Sequence, residues 1–464
     1  MEKKTARSKR KPTTKETAYE DKIEVSNTGS GSATAAGRGA KAIVLNFFGG
    51  WQISVTILVL VALAGLGYFG WKWIYPQKMT GDFRIAVAGF YTVGDSDSSD
   101  IGKELSSSVY TKIDVSLSDL KADYNISIWP PEQVGQISGD TAEERSKSAQ
   151  EIAEKIDANV VIYGFIDATK PTWQVIPEFY IASVNSFQAE EITGQYPLGQ
   201  SFTLKGQENA ARRLDLKDKF SARSQAISKV TIGLLYYSIQ EYEKALDIYK
   251  TAENIEGWED DQGKEVLYLL MGNAAGKANQ LDTALEYLNK SLQIDPEYAR
   301  PYISMAGVYY LQALIPFETS TKPRDEKRTD IDQKLLLKSI DTFQLALSAT
   351  NQPALSDIST KVHFGLGQCY FMQAYGGADV NLQLVADEFQ HVINDYGDGK
   401  NPRVREFAAE SHARMGLLYI FSGYPVDASK EYQLAADLLF DNPERQQQYQ
   451  ELADKYKAGV TATP

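Results

Sequence analysis

The stretch Tyr268–Ala299 reads YLLMGNAAGKANQLDTALEYLNKSLQIDPEYA. Bulky residues Tyr268 and Met271 precede the small Gly272. Ala284, the bulky Leu288 and the small Ser291 follow, and Pro296 closes the unit. That order describes a helical hairpin. Small residues let the first and second helices approach closely, and large ones fill the gap to the next hairpin. The proline stops the second helix, because it lacks the N–H that would continue the helix.

The same register recurs along the chain, the signature of a repeat architecture. Ile227–Asn254 supplies Gly233, Tyr236, Ala245, Tyr249 and Ala252. A third unit opens with Tyr302, Met305, Ala306 and Tyr309. Its second helix (Ser339, Phe343, Ala346) is displaced by a charged insert, PFETSTKPRDEKRTD, which predicts an exposed loop. A fourth unit shows Leu366, Gly367, Tyr370, Val385, Phe389 and Val392. A fifth shows Met415, Gly416, Tyr419, Gly423, Ala428, Tyr432 and Ala435. The polar segment Glu444–Lys457 suits the terminal capping helix that such arrays need.

These units resemble the tetratricopeptide (TPR) repeat. The resemblance implies a C-terminal α-helical solenoid of about five repeats over 206–464, with a concave groove made by the first helices. In that family the groove holds an extended peptide or a partner helix. The positions expected to face it are Tyr237, Asn273, Lys277, Arg300, Tyr310, Lys361 and Gln368. Aromatic and Arg side chains are common interface anchors, and Lys277 and Arg300 suit a carboxylate through charge-assisted hydrogen bonds.

Upstream, the pattern changes to that of a small α/β domain over 82–205. FRIAVAGF (Phe83–Phe90) and NVVIYGFID (Asn159–Asp167) are buried-strand runs, and NISIWPP is a further strand ended by Pro130 and Pro131. EFYIASV alternates as a neighbouring strand. GDSDSSD (Gly94–Asp100) reads as a loop, with Ser99 or Asp100 capping the helix Ile101–Ile113. Thr141 and Glu144 form a capping-box pattern at the head of another helix. Ile85–Phe90 and Ala149–Phe165, with Gly164, resemble the amino-terminal domain of TolB. That implies an accessory interaction module rather than an enzyme. The family's usual proline before Phe90 is replaced by Gly89.

Further upstream, residues 42–71 hold no charge. Ile53–Gly70 approaches the ~20 apolar residues needed to cross a bilayer, and Trp51, Trp71, Trp73 and Tyr75 flank it as interfacial aromatics do. The sequence therefore predicts a transmembrane helix over 51–76. Residues 1–50 hold ten Lys/Arg against five Asp/Glu and predict a basic, disordered tail. The positive-inside bias then puts the N-terminus in the cytoplasm and the bulk outside a bacterial cytoplasmic (inner) membrane.

Residues 51–464 carry 38 basic and 56 acidic residues, which weighs against nucleic acid as a partner. No Walker, HExxH, GxSxG or CxxC motif occurs. Gly65, Gly67 and Gly70 spell GxGxxG inside the apolar run, where the spacing has no phosphate to cradle. Cys369, the sole cysteine, lies six residues from His363, off its helix face, and reads as a buried thiol. No cofactor or metal is expected. The whole reads as a mostly α protein: one transmembrane helix, a small α/β domain and a TPR solenoid. It would act as a single-pass, membrane-anchored scaffold for protein or peptide partners, not as an enzyme. The alternatives are an extracytoplasmic ligand sensor working through the α/β domain and a chaperone-like factor for secreted proteins.

Overall fold

The protein is described by a computed structural model covering residues 77–457, apart from 95, 170–172, 183–191, 198–201, 205–208, 257, 259–262 and 398. From Lys78 onward these residues belong to one compact unit, Lys78–Pro464.

Alternation along β1 (Phe83–Val87) sends Ile85 and Val87 to one face of a sheet and Ala86 to the other. β1 pairs in parallel with β3 (Ile126–Trp129) and with β4 (Val160–Ala168), whose far end takes β2 (Tyr91–Gly94), also in parallel. β5 (Trp173–Ile181) runs antiparallel to β4 along its length, with Gly164 opposite Pro177. β6 (Gly194–Pro197) and β7 (Phe202–Leu204) complete the sheet against β5. The order is β3-β1-β4-β5-β6. Phe90, after β1, lies across Gly164, where a side chain would collide with its ring.

Helix α1 (Ser96–Ser116) covers one face through Ile101, Leu105, Val109 and Ile113. It begins at Ser96, so the expected loop to Asp100 is largely the first turn of a helix. Acidic residues suit that end of the helix dipole. A single turn, α2 (Pro131–Val134), leads to α3 (Ala142–Ile156), which covers the opposite face with Ala149, Ala153 and Ile156. The capping box is present: Thr141 Oγ1 accepts from the Glu144 N–H (3.1 Å), and the Glu144 carboxylate accepts from the Thr141 N–H (3.2 Å).

The rest is helical: α4 (Asn209–Ser238), α5 (Tyr242–Glu253), α6 (Lys264–Lys277), α7 (Leu281–Ile294), α8 (Ala299–Thr319), the one-turn α9 (Arg324–Lys327), α10 (Gln333–Ser348), α11 (Ile358–Tyr375), α12 (Leu382–Tyr396), α13 (Arg405–Phe421), α14 (Pro425–Leu438) and α15 (Pro443–Lys457). Among the described residues they pack as five hairpins: α4/α5, α6/α7, α8/α10, α11/α12 and α13/α14. Gly272 lies so close to α7 that a Cβ would stand 2.6 Å from Leu288 Cγ, and at Gly416 it would stand 3.0 Å from the Tyr432 ring. The insert of the third hairpin does not begin as a loop. α8 runs through Pro316 to Thr319, since a proline in a last turn forfeits only one helical hydrogen bond.

The sheet and the first hairpins share one core. Phe83, Ile85 and Val87 of β1, the apolar face of α1, and Phe220, Val230 and Tyr237 of α4 belong to a single buried cluster that continues to Tyr309. The Phe90 and Phe220 rings meet edge-on at 5.9 Å, as do Tyr124 and Tyr236 at 6.2 Å.

The expected architecture with a transmembrane helix requires correction. The chain is mostly helical, with a helical array joined to a sheet, and among the described residues no helix is long and apolar enough to cross a membrane. The longest, α4, carries Arg212, Arg213, Asp215 and Lys217 within its first turns. The run Ile53–Gly70 and the basic tail lie outside the described residues.

Candidate binding surface on the first helices

Once the packing residues of each hairpin are buried, the first helices α8 and α13 still present apolar side chains to solvent, and α11 half-buried rings between them. Leu311 and Ile315 of α8 lie four residues apart and are 47% and 43% exposed. Leu417 and Phe421 of α13 are likewise four apart, at 36% and 41%. That spacing keeps each pair on one helix face. Between them runs a chain of rings. Phe317 of α8 meets Tyr375 of α11 edge-on at 6.0 Å, and Tyr375 stacks on Phe371 at 6.5 Å. Phe371 meets Phe421 of α13 at 6.4 Å. Three successive hairpins thus contribute to one aromatic stripe. At Gly307 on α8 the surface is open, and a Cβ there would meet no atom within 4 Å.

Cations border this surface. Lys327 Nζ sits 4.5 Å from the Phe317 ring centre, a favourable placement against the electron-rich face. Burial pushes the Tyr310 phenol up to about 12, with Arg414 of α13 pulling the other way. Tyr310 is therefore a neutral hydroxyl at ordinary pH. A surface of aromatic and aliphatic groups with cations at its edge suits an apolar or aromatic peptide side chain. It brings together no nucleophile with a base.

The groove residues expected from sequence are dispersed. Tyr237 is buried and meets Tyr242 edge-on at 5.1 Å, inside its own hairpin. Asn273 and Lys361 are buried, and Lys277 is exposed at the end of α6. Tyr310 and Gln368 are half-buried on α8 and α11, which pack together. Arg300 is 4% exposed. Its guanidinium lies 3.9 Å over the Tyr196 ring, and Nη2 donates to the Thr193 carbonyl (3.0 Å). It serves the junction with the sheet, not a groove ligand. Sequence reasoning missed Leu311, Ile315, Phe317, Phe371, Tyr375, Leu417 and Phe421. The signal was an i, i+4 apolar pair on each of three first helices, offset from the packing positions.

Cys369 is buried with its Sγ 3.2 Å from Ser339 Oγ, and burial pushes the thiol up to about 12. His363 Nδ1 lies 2.6 Å from Glu388, and His412 Nδ1 2.7 Å from Glu431. Each pair joins the two helices of its hairpin at the same place in the repeat, where the second hairpin stacks Tyr268 on Tyr287.

Residues 266–298 match the model of the tetratricopeptide repeat family. No curated protein matches the chain in sequence. Similar solved structures include a thermophilic TPR protein of Thermus thermophilus (14% identity, 49% of this chain and 98% of that one, TM-score 0.35). Another is YrrB, described as a TPR protein with an unusual peptide-binding site (18% identity, 54% and 98%, TM-score 0.29). A third is PilW, a type IV pilus biogenesis factor (14% identity, 51% and 93%, TM-score 0.33). The matched residues span the hairpin α6/α7, which is similar to a tetratricopeptide repeat.

Proposed function

We propose that this chain is a protein-binding scaffold, in which the stripe on α8, α11 and α13 holds a peptide or helix carrying apolar and aromatic side chains. The observation behind the reading is the continuity of the stripe: Phe317, Tyr375, Phe371 and Phe421 link three hairpins, with half-exposed aliphatic residues on either side. Apolar side chains left partly in water are costly, and burying them against a partner supplies the driving force for association. Buried aromatic anchors also concentrate binding energy in few contacts.

The test is peptide selection on the immobilised full chain, followed by affinity measurement for the selected sequences. Phe421→Glu and Leu417→Glu place a charge in the stripe and should weaken binding by at least about tenfold, the effect of losing one anchor. Leu337→Glu and Leu345→Glu, exposed on the second helix α10, should leave it unchanged. Peptides lost with the α10 pair and kept with the α13 pair would move the site to the other face and overturn the proposal.

A further inference from the structure

Where the sheet meets the array, a cavity of about 170 Å³ opens between β1, the end of α3, β5 and the turn before α13. Its buried wall comes from the sheet. Asn159 is 3% exposed and Tyr180 2%. The Asn159 carboxamide is fixed in orientation, because its oxygen accepts the Arg84 backbone N–H (2.8 Å). Its Nδ2 is left without an acceptor among the described residues. The Tyr180 hydroxyl likewise has no hydrogen-bond partner among them, and burial, the largest influence on this phenol, holds it protonated far above neutrality. Neither atom is sealed away from solvent, so each is open to an occupant of the cavity. Here both line the same small cavity.

The charged groups around it come in both signs. Arg403, from the turn Pro402–Val404, gives Nε and Nη2 to Asp357 (3.0 and 2.9 Å), leaving Nη1 outside that pair. Arg84 gives Nη1 to the Gly81 carbonyl and Nη2 to Asp157 (3.3 Å). Asp157 and the exposed Glu154 form the acidic side of the rim. A simple anion would find donors inside but carboxylates at the mouth. A molecule with a carboxylate at one end and an ammonium at the other answers both.

We infer that this cavity binds a small zwitterion of the α-amino acid class. Its carboxylate accepts from Tyr180 Oη and Asn159 Nδ2, with Arg403 alongside, and its ammonium faces Glu154 and Asp157. The site lies on the rim of the array rather than on the aromatic stripe, so it stands independently of the scaffold reading. Because its walls come from both the sheet and the array, an occupant fastens one to the other and stabilises the folded chain by mass action.

Thermal unfolding and calorimetric titration of the full chain with L-alanine test this, with sodium acetate and ethylammonium chloride at matched ionic strength as half-ligands. L-alanine should raise Tm saturably and exceed either half-ligand. Tyr180→Phe keeps the ring and removes the donor, and should weaken L-alanine binding about tenfold, the scale of a hydrogen bond to a charged group. Glu154→Gln alters an exposed side chain that folding does not need, and should weaken L-alanine while sparing acetate. The inference is overturned if L-alanine gives no saturable response, if acetate alone matches it, or if both variants bind as the wild type does.

Discussion

Arg145 is closed in on every side. Nε and Nη2 donate to the two oxygens of Glu178 (2.7 and 2.9 Å), and Nη1 donates to the Asp140 carbonyl (3.2 Å). Gln195 donates to the same carboxylate (2.9 Å), and the Phe165 ring lies 4.4 Å from the guanidinium. Both ions are buried. Removing one strands the other without water, at a cost of about 3–5 kcal/mol. Urea unfolding of Arg145→Met should show a loss of that order, whereas the double variant Arg145→Met/Glu178→Leu should recover most of it. Cys369 tests burial differently. With its thiol pushed up to about 12, almost no thiolate exists at pH 8, and thiolate is the reactive form. Native protein should resist maleimide, and labelling should accelerate with urea; rapid labelling without urea would show that the α10–α11 contact opens readily. Arg300 marks the limit of sequence reasoning at this scale. Its place in the repeat points to the groove, but its role is fixed by Thr193 and by Tyr196 of β6, more than a hundred residues earlier in the chain, which no local pattern announces.

Among elements, α3 carries its own start signal. Backbone N–H groups of Thr141 and Asp140 lower the Glu144 pKa. The sign follows: a carboxyl whose folded pKa lies below its unfolded value contributes above the unfolded value, and that contribution disappears as pH falls through the folded one. Thr141→Ala should cost about 1 kcal/mol. It should also move the Glu144 titration, followed by NMR, upward by only part of the shift, because the Thr141 side chain is a lesser cause and the backbone donors remain. The capping box was legible because all its parts lie within four residues, and the hairpin register was legible because small and large residues repeat. β6 and β7 were not. β6 is GQYP, four residues with Gly at one end and Pro at the other, and it exists because β5 offers it a partner. β5 begins earlier than its apolar end suggests, since Trp173–Pro177 includes Gln174 and Pro177 and is strand only through pairing with β4. Likewise, the helical character of Pro316–Thr319 follows from Phe317 packing on Tyr375, a contact made across hairpins.

For the molecule as a whole, the shared core means that sheet and array should unfold together. Trp173 lies in β5 and Trp258 beside α5 and α6, and both are buried in the same cluster. Variants keeping one or the other as the sole tryptophan among the described residues should report coincident thermal transitions; separated midpoints would show that the array stands without the sheet. The junction also has mechanical meaning. Three first helices touch the sheet side of the molecule at or just before their starts. Arg300 bonds to the Thr193 carbonyl, Leu355 packs against the cluster that holds Tyr180, and Arg403 lines the cavity with Tyr180. A solenoid held only by its neighbours stretches and coils like a spring. One riveted along its rim at three successive coils has a fixed pitch, so the partner proposed for the stripe would have to match a spacing already set rather than be fitted by winding or unwinding.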